Sequence, residues 1–387
     1  MIAGSTKLNQ KDILNWLKEE GNQLLNQLWQ WADEVRRNSV GNEVHLRGII
    51  EFSNHCVRTC QYCGLNSKNK TISRYTMSIN EIVDVAKTIE TYGYGTVVLQ
   101  SGEDFRIEKK WISNLIKRIK KETNLAITLS LGERTRDELT QWKNDGADRY
   151  LLKIETSNAQ LFGKIHPTRL NNEWKSRTNL LKFLAETGYE TGSGIMIGIP
   201  RQTYQDLVDD ILALQELNLD MMGIGPFIPH PETELYNEYF DCKDNPDQVP
   251  NSELMTYKVN AIMRIICPDV NIPTTTALAT LNRESGRELG LIRGANVIMP
   301  NFTPLQYRKS YEIYPNRVCL EEYGESVHQE IKDRINSVGR VVGSGQGVSK
   351  NYLKKNHQNC HSDPDVFYQN KILRRGTPQN DKTVLSS

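Results

Sequence analysis

Three cysteines, Cys56, Cys60 and Cys63, fall within eight residues in the spacing Cx3Cx2C, while the chain's other four, Cys242, Cys267, Cys319 and Cys360, are scattered. Three thiolates on one short loop can each take a corner of a cubane iron-sulfur cluster, whose irons are normally held by cysteine sulfur. Such a set leaves one iron open, and an open metal position is where a substrate or cofactor coordinates directly. Structural zinc competes for the same residues, but it usually draws four ligands from paired CxxC or CxxH units. No second pair follows here, and His55 beside Cys56 points elsewhere if the loop wraps one centre. Chance clustering is the other alternative. The run directly before the loop, LRGIIEFS (46–53), is rich in β-formers. It places the cysteines just past the carboxyl end of a strand, where barrel enzymes build their sites.

The elements that must position this loop follow from pattern. Eight β-rich runs are expected as strands: Leu46 to Ser53, Gly95 to Ser101, Ala126 to Leu131, Arg149 to Glu155, Glu190 to Gly198, Met221 to Pro226, Asn271 to Ala277 and Asn296 to Pro300. Amphipathic segments separate them, such as SINEIVDVAKTIETYG, where Ser78 stands three residues before Glu81 in capping-box spacing and Gly93 ends the run. Eight strands alternating with helices predict a complete α/β (β/α)8 barrel of the TIM type. A doubly wound sheet is the competing fold, but no GxGxxG turn follows the first strand. Residues 1–45, with Leu14, Leu17, Leu24, Leu25, Leu28 and Trp31 near helical spacing, predict an N-terminal helical cap on a barrel over 46–340. Residues 341–387 are dense in Gly, Ser, Asn and Lys and are expected to form a loose tail. In such a tail the Cys360 spacing between His357 and His361 is a weak metal signal.

Composition narrows the function classes. The 387 residues balance 48 Lys and Arg against 47 Asp and Glu, a formal charge of +1. This gives no global attraction to nucleic acid or an anionic membrane, so neither is expected as a partner. The longest apolar stretches are far short of the ~20 residues that span a bilayer. The start lacks a basic segment followed by an apolar one, so a secretory leader is not expected. A cytoplasmic, reducing location is the expectation, in which clustered cysteines point to metal or catalysis rather than disulfides.

The segment IEFSNHCVRTCQYCGL, with Tyr62 directly before the third cysteine, resembles the cluster loop of radical S-adenosylmethionine (SAM) enzymes. The runs VLQSGED, TLSLGE, DRYLLKIET, GYETGSGIMIGIP, MMGIGPFIPHPETEL, NIPTTTALAT and GANVIMPNFTPLQYR, in this order, resemble the HydE family of iron-iron hydrogenase maturases. The likeness runs from about Leu46 to Tyr314, and biotin synthase and methylornithine synthase stand in the same neighbourhood. It implies two cofactors, a 4Fe-4S cluster and SAM. One electron from the cluster splits the SAM carbon–sulfur bond, and a 5′-deoxyadenosyl radical begins the chemistry. By the same resemblance Cys56, Cys60 and Cys63 are the cluster ligands and Tyr62 lies beside the adenine. Gln100, Ser101 and Glu103 lie near the methionine amino group, where an acceptor suits an ammonium. Ser130, Glu155 and Arg177 complete the SAM contacts. Thr128, Lys153, Thr275 and Thr276 line the substrate cavity, with Tyr307 as the catalytic residue.

Plainer readings stand beside several of these. Glu155 and Arg177 can pair with one another on the rim, the threonines can serve β-propensity, and PFIPHP can be a stiff turn whose His230 is structural. The glycines of GSGIMIGIP can pack a neighbouring strand as well as approach a ligand; ligand approach is the reading adopted. Two positions depart from the family. Lys153 stands where the best-known members have Arg, exchanging a bidentate fork for a point charge, and Ile154 stands where they have His. Cys319 has no cysteine neighbour, so no auxiliary cluster is expected.

The resemblance implies action on a cysteine-bound iron carbonyl cyanide species during hydrogenase active-site assembly. A ferredoxin or flavodoxin would be the reductant, and the other maturases possible partners. A radical SAM mutase or synthase acting on an amino acid is the alternative enzyme. A non-catalytic cluster carrier is the alternative from another class.

Overall fold

The structure, a computed structural model, describes residues 7–167, 174–320 and 324–362. Two helices, α1 (Gln10–Lys18) and α2 (Asn22–Val40), come first. They are followed by β1 (Glu43–Ser53), α3 (Ile79–Thr91), β2 (Thr96–Ser101), α4 (Lys109–Glu122), β3 (Ala126–Ser130), α5 (Arg136–Asn144) and β4 (Arg149–Leu151). Next come α6 (Ala159–Ile165), α7 (Trp174–Glu186), β5 (Glu190–Ile197), α8 (Tyr204–Glu216), β6 (Met221–Pro226), α9 (Leu235–Cys242) and α10 (Glu253–Ile266). The chain continues through β7 (Pro273–Thr274), α11 (Thr276–Leu281), α12 (Gly286–Leu291), β8 (Val297–Ile298) and α13 (Leu305–Arg308). It ends with α14 (Glu325–Ser337), β9 (Val341–Val342) and α15 (Lys350–Ser362).

The barrel strands pair in parallel in the order β6-β5-β4-β3-β2-β1-β8-β7. A single bridge between Met221 and Asn271 joins the two ends and completes the ring. Capping boxes at Ser78, Thr135 and Thr203 start α3, α5 and α8, so local side chains satisfy the first orphan N–H groups of helices that follow or precede strands. The later strands are shorter than expected. The seventh is two residues because the Thr275 side chain accepts from the Leu278 N–H and starts α11 there. The fourth stops at Leu151, and the ladder resumes only as the Glu155–Ile195 bridge. The N-terminal helices pack on α8 and α10. The buried Lys258 ammonium donates to the Leu17 carbonyl (3.0 Å) and thereby fastens α1 to α10.

The segment from 341 to 362 corrects the expectation of a loose tail. β9 adds to β1 in register Glu43–Val341 and Val44–Val342, and the following loop enters the amino end of the barrel. There the Gln346 carbonyl accepts from Arg149 Nη2 (2.8 Å) and Thr96 Oγ1 (2.9 Å). The Gly347 carbonyl accepts from Arg47 Nη2 and Asn271 Nδ2, both at 3.1 Å. Gly345 and Gly347 adopt φ of +69° and +60°, so the glycines of this stretch are the left-handed residues of a tight turn. The tail from 363 onward and the side chains of Cys319, Cys360 and His361 lie outside the described residues.

Candidate metal centre and active site

The cysteine loop leaves the carboxyl end of β1 with no helix or strand of its own, so side chains must hold it. Asn54 donates to the Ser73 (2.7 Å) and Ser310 (2.6 Å) carbonyls and accepts from the Tyr75 N–H (2.7 Å), pinning both ends. The Arg74 guanidinium gathers four carbonyls, those of Asn54, Leu65, Asn66 and Asn69, at 2.6–3.0 Å. Gly102, at the end of β2, lets the loop pass: a Cβ there would lie 2.3 Å from the His55 carbonyl and 2.9 Å from Cys56 Cβ. His230 is nearly buried, accepts from the Glu232 N–H at Nδ1 (3.1 Å) and packs against Gly64, so it buttresses the loop. Sequence reasoning missed Arg74, which no motif announces. Arg74→Lys is expected to fold and to retain at most about half the reconstituted iron, because three ammonium donors cannot reproduce a planar fork spanning four carbonyls. Iron per chain measures this; full retention would show that the loop holds itself.

Cys56, Cys60 and Cys63 are free thiols. Burial pushes Cys63 up to about 12 and raises Cys56, and burial with the Cys63 and Cys56 neighbours raises Cys60 well above its ordinary value. Such thiols stay protonated until positive charge arrives at their sulfurs. Among the described residues no three His, Cys, Asp or Glu side chains are placed to hold a single metal ion. A tetrahedral zinc with bonds of about 2.3 Å would need its sulfurs drawn tightly together. A cluster takes each cysteine at a different iron, which suits three thiols on a looser loop. The trio therefore fits a cluster better than zinc.

Around the thiols lies a layer of buried charges. Arg58 donates to Glu103 through Nε (2.7 Å) and pairs with it through Nη2 (2.5 Å), and the Glu133 N–H also donates to Glu103 (3.1 Å). Arg177 donates to Glu133 (2.9 Å) and to the Lys153 carbonyl (2.7 Å), with its guanidinium 5.3 Å from the Phe162 ring centre. Burial alone would depress Arg177, but Glu133 and Tyr62 outweigh it and keep the cation. The Glu155–Arg177 pair, the plainer alternative to SAM contact, does not form. Lys153 Nζ lies 2.9 Å from Glu155 Oε2, and Glu155 Oε1 accepts from the Tyr62 hydroxyl (3.3 Å). His166, which sequence reasoning also missed, contacts Cys60 Sγ through Nδ1 and the Tyr62 hydroxyl through Nε2, each at 3.1 Å. Burial first, then Arg177, Arg58 and Lys153, holds it neutral.

Glu155 has φ +63°, a left-handed conformation that costs a non-glycine residue about 1 kcal/mol or more and must be held by its surroundings. Asp210 helps hold it: its carboxylate accepts from the Thr156 hydroxyl (3.0 Å), the Ser157 N–H (2.5 Å) and hydroxyl (2.7 Å), and the Gln202 amide (2.9 Å). Burial lifts the Asp210 carboxyl to about 6 from 3.8, against the pull of its donors. A folded value above the unfolded one means that its stabilising contribution is complete below about pH 4 and declines as pH rises through 6. Asp210→Ala is expected to cost about 3 kcal/mol through the donors it strands, and to cost more at pH 5 than at pH 8. Urea titrations at the two pH values test this; an equal or reversed difference would refute it.

The interior face of the upper barrel carries the remaining expected residues. Glu51, Gln100 and Ser130 share one rung of neighbouring strands. Gln100 donates to the Tyr311 hydroxyl (3.2 Å), Ser101 donates to the Gly102 carbonyl (2.7 Å), and the Thr128 hydroxyl is buried without a partner. Thr275 donates to the Ile224 carbonyl (3.2 Å), and Thr276 is the first residue of α11, so neither lies within a strand. Tyr307 is a correction. Its hydroxyl donates to Glu81 in the first turn of α3 (2.7 Å) and its ring stacks on Tyr75, which puts it in the helix layer. Tyr311, four residues on, is buried, bonded to Gln100 and within electrostatic reach of Glu51 and Cys63. The buried Glu51–Arg317 ion pair completes this wall; its sequence signal was a glutamate amid the apolar Ile49, Ile50 and Phe52 of β1. Within the glycine run, a Cβ on Gly194 would lie 1.9 Å from the Gly223 carbonyl, so that glycine packs β5 onto β6, as the plainer reading has it.

The sequence model of the radical SAM superfamily matches residues 50–214. The FeFe-hydrogenase maturase subunit HydE of Thermotoga maritima is 47% identical over 323 residues, 84% of this chain and 88% of the relative. The 3-methylornithine synthase of Methanosarcina acetivorans is 29% identical over 343 residues, 87% of this chain and 91% of the relative. Among solved structures, methylornithine synthase PylB superposes with a TM-score of 0.73 over 88% of this chain and 95% of that one, at 24% identity, a likeness of fold.

Proposed function

The chain belongs to the HydE family of radical SAM enzymes, and from this we propose that it works in the maturation of iron-iron hydrogenase, with Cys56, Cys60 and Cys63 holding its 4Fe-4S cluster. The observation that carries the reading is a half-buried thiol trio at the carboxyl end of a closed parallel barrel, ringed by Arg177, His166, Tyr62 and Glu155. When bound, the cluster and SAM supply one-electron cleavage of the sulfonium and a 5′-deoxyadenosyl radical.

The protein's own groups bind, orient and shield. Arg177 keeps a fixed cation beside the thiols, suited to the SAM carboxylate. Tyr62, Gln100, Ser101, Ser130 and Glu155 offer an aromatic face and hydrogen-bonding groups to the adenosine and amino ends. Glu103 and Glu133 act through Arg58 and Arg177, holding them in place. Thr128, Lys153, Thr275 and Thr276 form the substrate wall, to which we add Tyr311 in the part first given to Tyr307. The substrate is a cysteine-bound iron carbonyl cyanide species, the electron comes from a ferredoxin or flavodoxin, and the product passes to the other maturases in the cytoplasm. No helix among the described residues is long and apolar enough to cross a membrane.

Lys153 in place of arginine favours a second reading, an amino-acid mutase or synthase, because a point charge grips a carboxylate without a fork's directionality. Anaerobically reconstituted protein given dithionite and SAM is expected to release 5′-deoxyadenosine, and none above background would overturn the enzymatic reading. Adding the protein to a hydrogenase maturation mixture depleted of its own HydE separates the two. Restored hydrogenase activity supports the maturase; SAM cleavage without restoration favours the mutase.

A further inference from the structure

Cys56 lines an open groove of about 330 Å³. Lys70, Arg74 and Arg106 also line it, against the single carboxylate of Asp104, so the local balance is three cations to one anion on a chain whose formal charge is +1. Beside it, Val57 and Phe105 are 48% and 57% exposed, and the Val57 N–H bond to the Glu103 carbonyl (2.9 Å) draws their two loops together. Lys70 and Arg106 are solvent-exposed, whereas Arg74 is committed to the loop carbonyls. An exposed apolar pair at the edge of a charged groove, with the Phe105 ring held against the Arg134 guanidinium (5.5 Å), offers both kinds of contact that a protein interface uses. Redox encounters occupy the small end of interface sizes and are steered by complementary charge.

We propose that this groove is the docking surface for an acidic one-electron carrier protein, delivering its electron toward the cluster on the Cys56 side. The inference rests on the catalytic reading above and adds where the electron enters. Asp104 holds Arg106 through two side-chain hydrogen bonds (2.8 Å each), so the arginine is presented in a fixed pose, while exposed Lys70 is held by one bond to the Ser67 carbonyl (2.8 Å) that a partner's carboxylates can replace. Phe105 supplies the contact that a salt-screened encounter keeps once charge has brought the partners together.

The test compares two reductants on reconstituted full-length protein. Lys70→Glu, Arg106→Glu and Phe105→Ala are expected to raise the KM for reduced flavodoxin about tenfold or more, most in the charge-reversed double variant, while dithionite-driven SAM cleavage stays within about twofold of wild type. Salt should weaken flavodoxin-driven turnover in wild type and have little effect in the double variant. Lys70→Glu removes the bond from the Lys70 ammonium to the Ser67 carbonyl on an exposed side chain, and guards against a folding artefact. Flavodoxin binding, followed by flavin fluorescence, gives a readout that needs no turnover: about tenfold weaker binding by the variants supports the surface. An unchanged KM and unchanged binding would overturn the docking proposal. A wild type inert with dithionite would instead overturn the catalytic reading, and the binding titration would still judge the surface.

Discussion

Cys60→Ala protein is expected to leave anaerobic reconstitution nearly colourless, with retained iron falling from about four atoms per chain to below about one and 5′-deoxyadenosine at background. Cys60 is the middle one of the proposed ligands and its surroundings are the most specialised of the three: it is half-buried, touches His166 Nδ1 and lies between Cys56 and Cys63 along the loop. Alanine removes the sulfur and leaves the loop's supports, Asn54 and Arg74, untouched, so the melting temperature of the apoprotein should change little. Two cysteines cannot hold three corners, and the remaining irons would be open to water and loss. Iron analysis, absorbance near 400 nm and product chromatography read the three quantities separately. A Cys60→Ala protein with full iron and full cleavage would remove the thiol trio from the chemistry.

Deleting residues 341–387 is expected to lower the melting temperature by about 10 °C or to yield insoluble protein, the largest stability effect in the molecule. Arg47 and Arg149 both point into the amino end of the barrel, and Glu190 is the carboxylate that pairs with them, at 3.8 Å and 2.5 Å. Burial and the Arg149 charge, opposed by Glu190, already lower Arg47 to about 9. The Gln346 and Gly347 carbonyls supply the acceptors that this two-to-one arrangement lacks, and the Ser349 N–H completes Glu190 at 3.0 Å. Losing acceptors for buried charged donors costs about 1.5–3 kcal/mol each, and total stabilities are only about 5–15 kcal/mol. A truncation after Ser362 keeps every one of these contacts and should melt with the intact chain. Calorimetry of the three proteins decides the matter; an unchanged melting temperature for the longer deletion would show that water replaces the carbonyls without penalty.

The tail is also where composition misled. Gly343, Gly345 and Gly347 within one polar stretch read as disorder, yet two of them supply positive φ for a turn that seats backbone carbonyls on buried arginines. Composition reports how much apolar surface a segment can bury, and this segment is held by backbone acceptors instead. Tyr307 failed for a related reason. Its position after the eighth strand matched the family, but α13 turns its hydroxyl to Glu81, and Tyr311 takes the inward place. Tyr307 sits on α13 while Tyr311 lies past its end in irregular chain, a difference in direction that strand counting cannot resolve.

Chemistry that depends on short-range spacing was legible in the residues alone. The Cx3Cx2C loop, the strand feeding it, the capping box at Ser78 and the alternation that makes a barrel are all local, because periodicity and turn chemistry act within a few residues. The pairing of charges was decided by the fold. Arg58 with Glu103, Arg177 with Glu133 and Glu51 with Arg317 join partners 44 to 266 residues apart, beside the local pair Lys153 with Glu155. Among several candidate counter-ions, burial and a left-handed Glu155 select which oxygen faces which cation. Residue types and spacing thus pointed to a cluster and the resemblance added SAM, while the closure of one ring of strands decided which side chains stand beside the thiols.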